Sequence, residues 1–407
     1  MVLFLISNGE LEERIIDFFK ERKCAKKCSY YRLNLNSTNV GSFPRNCKTV
    51  CADLVVDEKT ELTVEELADL FKNMKHLIGG LAVGVNENFK NMKFLAGLES
   101  IDCVYQIQFK FNDEMPEIGM TNLTKIYGHR FEIALNSKLT KLNMPNLKKI
   151  SHYSGDIRKF EFFVLDDDPK FCLSTVEMLN FMKVKGLKTN HVYGGICEPK
   201  FDKKTCKKPA KGCTQIFGDV QIGPDFDIET MDSVEVIFGG LIINGARIES
   251  SKMLPNLKYI AQPKQKQPGV LIENTTFVGT VTHFSLKHIH RASPGTPLIL
   301  ESLKFGSNNT GISLNSTFCY GLGYDIDDYF WTCEKLGYLE EGKTEEVDVG
   351  GGDKGIKGIE KLDSTTVPPE SSTLNQTVVE KPEKNGECFQ AVWMQLAVLI
   401  FGVNWIF

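Results

Sequence analysis

A short run that occurs twice constrains the fold of this chain more than any other feature of its sequence. The first copy, Ile78–Val83, reads Ile-Gly-Gly-Leu-Ala-Val, and the second is Ile237–Ile243. Each is followed by a leucine ladder that closes on an isoleucine, Ile101 or Ile260. The Gly-Gly-Leu runs lie 160 residues apart and the closing isoleucines 159 apart. One offset over this length predicts a domain that is present twice.

Strand-like runs recur at a fixed interval through the first copy. Their centres step by 26 residues and are followed by a fifth run; they lie near Val55, Leu81, Ile107, Ile133 and Phe160–Leu165. A unit of about 20–29 residues with one short strand and inward aliphatic side chains is typical of a solenoid. Because one such unit cannot bury its apolar face alone, neighbouring units stack around a shared core.

The second copy begins like the first but is less regular. Cys47–Val56 and Cys213–Ile222 share a cysteine, an aliphatic residue three positions later, an aspartate and a β-type run. Later strand candidates in the second copy lie near Gln221, Ile242, Leu271, Ile299 and Ser313. Residues 11–23 and 173–183 have the pattern of short helices. The glycine pair indicates close backbone approach or unusual φ angles beside a strand.

Cysteine content indicates the secretory pathway. Twelve cysteines among 407 residues are many for a reducing compartment and favour a disulfide framework. Asn-x-Ser/Thr sequons agree with that compartment, and the glycosylation candidates are Asn36, Asn122, Asn274, Asn308, Asn315 and Asn375. The formal net charge of −4 gives no reason to expect nucleic acid as a partner. The short apolar start, Val2–Ile6, is interpreted as a poor or truncated signal region.

The cysteine-framed leucine ladders resemble the receptor L domains of the insulin-receptor and EGF-receptor families. The similarity rests on the Gly-Gly-Leu strand, on Phe94-Leu95-x-x-Leu98-x-x-Ile101, and on the closing Phe-Cys of each copy at Cys172 and Cys319. Paired L domains on a stalk are most similar to the nematode proteins that carry receptor L domains without a kinase. The resemblance implies a mainly β fold with short helices, in which two leucine-rich-repeat-like right-handed β-solenoids stand in tandem. It also implies that a sheet face binds a polypeptide hormone.

Domain boundaries follow from the two copies and from changes in composition. The predicted order is an N-terminal segment, a first receptor L domain, a lysine-rich linker, a second L domain, a flexible stalk and a hydrophobic tail, at 1–23, 24–197, 198–212, 213–338, 339–388 and 389–407. The furin-like cysteine-rich module of the receptors is missing between the copies, and no kinase is expected. The stalk is polar and acidic, which favours disorder.

The repeat suggests a pairing of the cysteines. We expect the bridges Cys172–Cys197, Cys319–Cys333, Cys28–Cys47, Cys206–Cys213 and Cys51–Cys103. The last pair is inferred because neither member has a counterpart in the second copy. Cys24 and Cys388 are left over in this scheme. A zinc site formed by Cys24, Cys28, Cys47 and Cys51 is the alternative that the spacing leaves open.

A dense lysine cluster joins the two copies. Six lysines occur within twelve residues, at Lys200, Lys203, Lys204, Lys207, Lys208 and Lys211. They are interpreted either as a solvated linker or as a contact for an acidic glycan or acidic partner. The three histidines His283, His288 and His290 lack a nearby carboxylate or cysteine cluster and are expected to be exposed loop residues. We therefore predict no metal or cofactor, and without a catalytic constellation we predict that the protein is not an enzyme.

The C-terminal tail favours attachment to a membrane. Phe389–Phe407 carries no charge, and as a helix its nineteen residues would span about 28 Å, close to the hydrocarbon thickness. A stalk followed by an apolar C-terminal segment is typical of a GPI-attachment signal, with candidate sites at Asn385-Gly386 and Ser371–Thr373. A single transmembrane helix is the alternative.

These features predict a non-enzymatic binding protein on the extracellular side of the plasma membrane. We expect its sheet faces to bind a secreted polypeptide, such as an insulin-like peptide, so that it acts as a decoy, a carrier or a co-receptor beside a signalling receptor. The alternative function is an adhesion or structural protein whose L domains bind each other or the matrix. The sequence does not identify the ligand contacts.

Overall fold

A computed structural model of the chain describes residues 8–312 apart from short gaps. The gaps are 33–34, 87–88, 104–105, 166–167, 169, 186, 190, 250–252, 263–268, 282–284, 292–302 and 306–309. The predicted stalk and hydrophobic tail lie outside this range. Within it, no helix is both long and apolar enough to cross a membrane.

The fold is mainly β with short helices, as predicted. The first half of the described chain contains α1 (Asn8–Glu21), β1 (Ser29–Tyr30), β2 (Thr49–Ala52), β3 (Leu54–Val56), α2 (Val64–Phe71), β4 (His76–Ile78), β5 (Leu81–Gly84), β6 (Ser100–Asp102), β7 (Gln106–Lys110), β8 (Lys125–Gly128), β9 (Arg130–Ala134), β10 (Lys149–His152), β11 (Glu161–Leu165), β12 (Cys172–Leu173), α3 (Thr175–Lys183) and β13 (Gly195–Ile196). The predicted helices at 11–23 and 173–183 correspond to α1 and α3.

The second half consists of short strands. They are β14 (Thr205–Cys206), β15 (Gln215–Phe217), β16 (Val220–Ile222), β17 (Val236–Phe238), β18 (Leu241–Asn244), β19 (Arg247–Glu249), β20 (Tyr259–Gln262), β21 (Val270–Glu273), β22 (Thr276–Val281), β23 (His288–Arg291), β24 (Leu303–Phe305) and β25 (Thr310–Ile312). The strands predicted near Gln221, Ile242 and Leu271 are β16, β18 and β21, whereas Ile299 and Ser313 lie outside the described residues.

Parallel pairing organises both halves. In the first half, sheet A has the order β1-β2-β4-β6-β8-β10 and sheet B the order β11-β9-β7-β5-β3. In the second half, sheet C has the order β14-β15-β17-β20-β23, sheet D β16-β18-β21-β24 and sheet E β19-β22-β25. The strands predicted at 26-residue intervals all belong to sheet B. Each is preceded by a sheet A strand that the sequence reasoning missed.

The core lies between sheets A and B. Each sheet A strand from β2 to β10 contributes an inward branched aliphatic side chain, and these are Val50, Leu77, Ile101, Ile126 and Ile150. Sheet B contributes two inward apolar side chains per strand, such as Ile107 and Phe109 of β7. The expectation that these aliphatic residues are core is confirmed. Burial of each such side chain contributes about 1.5–3 kcal/mol.

Asparagines close successive turns of the first half. Asn86, Asn112 and Asn136 are buried, and each donates from Nδ2 to backbone carbonyl oxygens of its own turn and of the preceding one. For example, Asn112 Nδ2 lies 3.1 Å from Val83 O. The residue before each asparagine has φ near +56°, a conformation that costs free energy outside glycine. In the second half Thr275 makes the corresponding contacts with the carbonyl oxygens of residues 243 and 273.

The repeated glycine pair permits close packing between turns. A Cβ added at Gly79 would collide with the carbonyl oxygen of Ala52, and one at Gly239 with that of Gly218. Gly79 also has φ of +134°, which favours glycine. The aspartate shared by both copies lies beside the pair, since the amide of residue 240 donates to Asp219 Oδ1 at 2.7 Å. The backbone requirement expected from the sequence is confirmed.

Four disulfides occur in the described part of the chain. Cys28–Cys47, Cys172–Cys197 and Cys206–Cys213 confirm the predicted bridges. The predicted Cys51–Cys103 bridge is wrong, because Cys51 is bonded to Cys24, which follows α1 directly. The Cys103 thiol is instead buried and donates to Gln106 O. The zinc alternative is also wrong since all four of its cysteines are in disulfides, while Cys319 and Cys333 lie beyond the described residues.

Candidate ligand-binding surface

The outer face of sheet A carries two rows of side chains that point away from the core. Register places one row across five strands, and its members are Thr49, His76, Ser100, Lys125 and Lys149. The second row consists of Cys51, Ile78, Asp102, Tyr127 and Ser151. Most of these ten positions are polar. An outer face of this kind can remain in contact with water while the inner face packs on the core.

Helix α1 covers the β2–β4 end of this face. Ile15, Phe18 and Phe19 are buried there in a cluster with Cys51, next to Ile78. The amphipathic pattern of the helix therefore serves packing on the sheet, whereas the sequence predicts that residues 1–23 lie outside the first L domain. The Cys24–Cys51 disulfide ties the end of the helix segment to the same place.

Arg22 marks the limit of the covered region. Its Nε lies 2.9 Å from Asp102 Oδ2, and its guanidinium lies 4.9 Å from the Phe18 ring centroid and 5.6 Å from that of Tyr127. The two charged side chains are about 30% exposed, so this ion pair is partly screened by solvent. Arg22 was not recognised from the sequence, because nothing in α1 indicates which strand it contacts.

Helix α1 packs on Cys51 and Ile78 and leaves other outward residues uncovered. We call these uncovered residues the open face, and they are His76, Ser100, Lys125, Tyr127 and Lys149. They combine basic, hydroxyl and aromatic groups. Lys125 and Lys149 are exposed, and the Lys125 ammonium lies 5.9 Å from the Tyr127 ring centroid. The Tyr127 hydroxyl donates to the carbonyl oxygen of residue 153 at 3.0 Å, and His76 Nδ1 lies 2.9 Å from Ser100 Oγ. Fixed aromatic and polar groups on strands are suited to contact with a polypeptide.

Sheet C presents the corresponding face in the second half, but this face is buried. Its outward residues include Val236, Phe238 and Ala261, which belong to the core cluster of the first half. Half-buried Tyr259 packs against that cluster, and α3 contacts β20 and β23. Apolar and aromatic side chains at outward positions are therefore used for packing between the two halves.

A threonine from the first half is hydrogen-bonded to two histidines on this buried face. Thr189 Oγ1 lies 2.9 Å from His288 Nε2 and 3.1 Å from His290 Nδ1. Burial lowers the pKa of His288 to about 4 and that of His290 to about 3. The expectation of exposed loop histidines is wrong for both, since they lie in β23, while His283 lies outside the described residues. No group of three or more metal-binding side chains occurs in the described part of the chain.

Charged side chains on the outer face of sheet B are paired with one another in an ionic network. Buried Glu132 accepts from Lys110 Nζ at 2.8 Å and from Arg130, whose Nη1 also lies 2.6 Å from Glu161 Oε2. The Arg130 guanidinium lies 4.6 Å from the Phe163 ring centroid, and that ring stacks on an imidazole at position 191. Because these charges are already paired, this face is less suited than the open face to bind a charged ligand.

The lysine cluster lies on an ordered segment. Its six members are all exposed, and they are Lys200, Lys203, Lys204, Lys207, Lys208 and Lys211. The segment includes β14, which pairs with β15, and the Cys206–Cys213 disulfide. The predicted linker thus contributes a strand to sheet C rather than only joining the halves.

Three of the glycosylation candidates lie in the described part of the chain. Asn122 and Asn274 are exposed and Asn36 is half-buried. The Asn36 side-chain oxygen accepts from the Thr38 amide and hydroxyl, which forms a local turn. The other three candidates lie outside the described residues, and they are Asn308, Asn315 and Asn375. Glycosylation at all six positions stays a prediction.

The parallel sheets, the disulfides and the open face define a protein that carries a receptor L domain. A family model described as Receptor L domain matches residues 212–320. The chain therefore carries a receptor L domain and resembles nematode proteins of this kind. It is similar to Protein irld-34 of Caenorhabditis elegans, with 21% identity over 263 residues that cover 61% of this chain and 61% of that protein. The chain therefore spans less than two thirds of the length of the curated relative it matches.

The class of the protein follows from this family and from the disulfides. Receptor L domains are non-catalytic and bind ligands, which agrees with the prediction that the chain is not an enzyme. Disulfides form and persist in oxidising compartments, so the four bridges indicate an extracellular or secreted protein.

Proposed function

We propose that the protein binds a secreted polypeptide on the open face of sheet A. The observation that carries this proposal is the contrast between two corresponding faces. The sheet C face is buried, whereas Lys125 and Lys149 of sheet A are exposed beside Tyr127. A ligand can reach the sheet A surface without separation of the two halves.

The first half would be a second receptor L domain, in tandem with the one that the family model matches. Support comes from the duplicated glycine pair, which performs the same backbone role at Gly79 and Gly239. Sheets A and C also have the same parallel order, in which each strand pairs with its neighbour from the adjacent turn. In this proposal both halves are right-handed, leucine-rich-repeat-like β-solenoids.

Charge and shape restrict the ligand. Lys125 and Lys149 favour acidic side chains on the partner, and the Tyr127 ring provides apolar area beside them. An insulin-like peptide is the ligand class that the resemblance suggests. In this proposal the protein sequesters the peptide, carries it or presents it to a signalling receptor.

The proposed location is the cell surface, with attachment through residues 389–407. GPI anchorage and a single transmembrane helix are distinguished by phospholipase C treatment of cells that express the full chain. Release of the protein into the medium supports the GPI anchor, and complete retention supports the helix.

Binding is tested with the full-length protein in lipid nanodiscs against a panel of insulin-like peptides. We expect saturable binding of at least one peptide, with weaker binding by Tyr127→Ala. A matched control is Phe201→Ala, which removes another partly exposed aromatic side chain far along the chain from sheet A. If the whole panel shows no saturable binding, the ligand class is wrong.

The adhesion alternative has a separate measurement. Beads coated with the protein are mixed and their aggregation is followed. Aggregation of wild-type beads, combined with no binding in the peptide panel, supports self-binding L domains instead of a peptide-binding protein.

A further inference from the structure

The lysine segment, residues 200–211, presents its charges on a constrained backbone. Asp202 Oδ1 accepts from the amides of Lys204 and Thr205 at 2.8 and 2.7 Å, which fixes a turn before β14. After β14, the Cys206–Cys213 disulfide closes the loop that leads to β15, with a Cα–Cα distance of 6.1 Å. The positions of the lysine backbones are therefore set before any ligand binds.

The disulfide brings four of the lysines together. Lys204, Lys207, Lys208 and Lys211 each lie within two residues of one of the bonded cysteines. Since consecutive Cα atoms are about 3.8 Å apart, each Cα lies within about 7.6 Å of a cysteine Cα. The disulfide therefore concentrates four positive charges on one short loop, where their combined field attracts an anionic ligand.

Neighbouring carboxylates neutralise only part of this charge. Lys207 Nζ lies 3.1 Å from Glu198 Oε1, and the same ammonium lies 4.6 Å from the Phe201 ring centroid. Asp202 is the other carboxylate in the segment. Among the described residues, none of the other five lysines lies within ion-pair distance of a carboxylate, and all are exposed.

A surface of this kind is suited to a polymer with regularly spaced negative charges. Like charges held together by a disulfide repel one another, and an anionic ligand relieves this repulsion. Because the backbone is already ordered, binding costs mainly lysine side-chain entropy. The disulfide-containing, extracellular class of the protein favours a polysaccharide over nucleic acid as the partner.

We propose that the lysine segment binds a linear sulfated polysaccharide. The residues of this segment differ from those of the open face of sheet A, so the inference is independent of the proposed peptide ligand. Such binding would concentrate the protein at glycan-rich surfaces outside the cell.

Heparin chromatography of the full-length protein in detergent tests the proposal. The test variant combines Lys203→Ser, Lys208→Ser and Lys211→Ser, which leaves the Lys207 contacts intact. The matched control combines Lys59→Ser, Lys93→Ser and Lys148→Ser, which removes the same charge from exposed lysines in three turns of the first half. Thermal unfolding confirms that both variants are folded.

We expect wild-type protein and the control to elute together, above about 0.15 M NaCl. The test variant should elute at clearly lower salt, and de-sulfated heparin should retain none of the three. Equal shifts for the two variants would show that only net charge matters and would overturn the proposal. Wild-type elution below physiological salt, or equal retention on a DNA column, would also contradict it.

Discussion

Sheets A and C occupy corresponding positions in the two halves, yet the outer face of sheet A is partly exposed and that of sheet C is buried. His76, Ser100 and Asp102 of sheet A are polar and partly exposed. The corresponding sheet C positions are apolar or aromatic and pack against the first half; they are Val236, Tyr259 and Ala261. The same backbone arrangement thus supports packing in one half and an open surface in the other. The difference lies in the outward side chains alone, since both inner faces are aliphatic.

The largest effect is expected when a sheet A side chain is placed on sheet C. Ala261→Asp buries a carboxylate at a position with 0% exposure, where Asp102 of β6 has solvent and Arg22. We expect a loss of about 4 kcal/mol in the free energy of unfolding, measured by urea denaturation. If the variant is as stable as the wild type, the sheet C face is not buried.

Acid should weaken the packing of sheet C more than that of sheet A. The folded-state pKa values of His288 and His290, about 4 and about 3, lie below the ordinary value of 6.5. Their contribution to stability is therefore complete above pH 6.5 and is lost as the pH falls below that value. Over two pH units each such imidazole can cost up to about 2.7 kcal/mol. Burial raises the pKa of Asp53 to about 6, which acts in the opposite direction on acidification.

The double variant His288→Gln, His290→Gln separates the effect of the two histidines on acid stability from that of Asp53. It keeps neutral hydrogen-bonding groups near Thr189 but cannot take up the two protons. We expect its free energy of unfolding to fall less than that of the wild type between pH 6.5 and about 4.5, by about 4 kcal/mol. Parallel pH curves for the two proteins would contradict burial of the histidines.

Loss of the Cys24–Cys51 bridge should weaken the packing of α1 on sheet A. Cys24→Ser with Cys51→Ser removes a crosslink between residues 27 apart, and we expect a cost of about 3–4 kcal/mol. Amide exchange in α1 should become faster while that in sheet C stays unchanged. The corresponding Cys206→Ser, Cys213→Ser variant opens a separation of only 7 residues and should cost about 1 kcal/mol less on chain-entropy grounds. If amide exchange accelerated more in sheet C than in α1, the bridge would not be what holds α1 against sheet A.

The smallest effect is expected for the partly exposed ion pair on sheet A. Asp102→Ala removes the Arg22 contact and should lower stability by less than about 1 kcal/mol, because solvent screens both groups. Thermal unfolding at low and high salt measures this contribution. A loss as large as that of Ala261→Asp would mean that the sheet A face is as buried as that of sheet C.

The strands of sheet B can be predicted from the sequence and those of sheet A cannot, for a physical reason. Sheet B strands bury several side chains, so runs such as that around Ile107 are clear in the sequence. A sheet A strand such as β6 buries only Ile101 between polar residues, which is too short a pattern to recognise. The buried asparagines were also missed, although Asn86 and Asn112 are 26 residues apart like the strands.

The open face could not be predicted because it depends on tertiary contacts. Nothing local to Phe19 shows that it packs beside Cys51, and the Cys24–Cys51 bridge accompanies that packing. Outward apolar residues of sheet C, such as Phe238, were a usable signal that this sheet is covered. Which element covers it was beyond any local pattern, since α3 and the sheet C strands that it contacts are far apart in the chain.

If the open face of sheet A is the ligand surface, a glycan placed on it should block binding. Lys149→Asn creates an Asn-Ile-Ser sequon on β10 within the outward row of sheet A. The matched control combines Lys149→Asn with Ser151→Ala, which makes the same charge change without a sequon. Mass spectrometry establishes that only the first variant carries the added glycan.

Affinity is then measured for the insulin-like peptide that the wild type binds most tightly. We expect the glycosylated variant to bind at least about tenfold more weakly than the control, a loss of about 1.4 kcal/mol, while the control loses only the contribution of the Lys149 charge. Wild-type affinity in the glycosylated variant would contradict the assignment of ligand binding to sheet A.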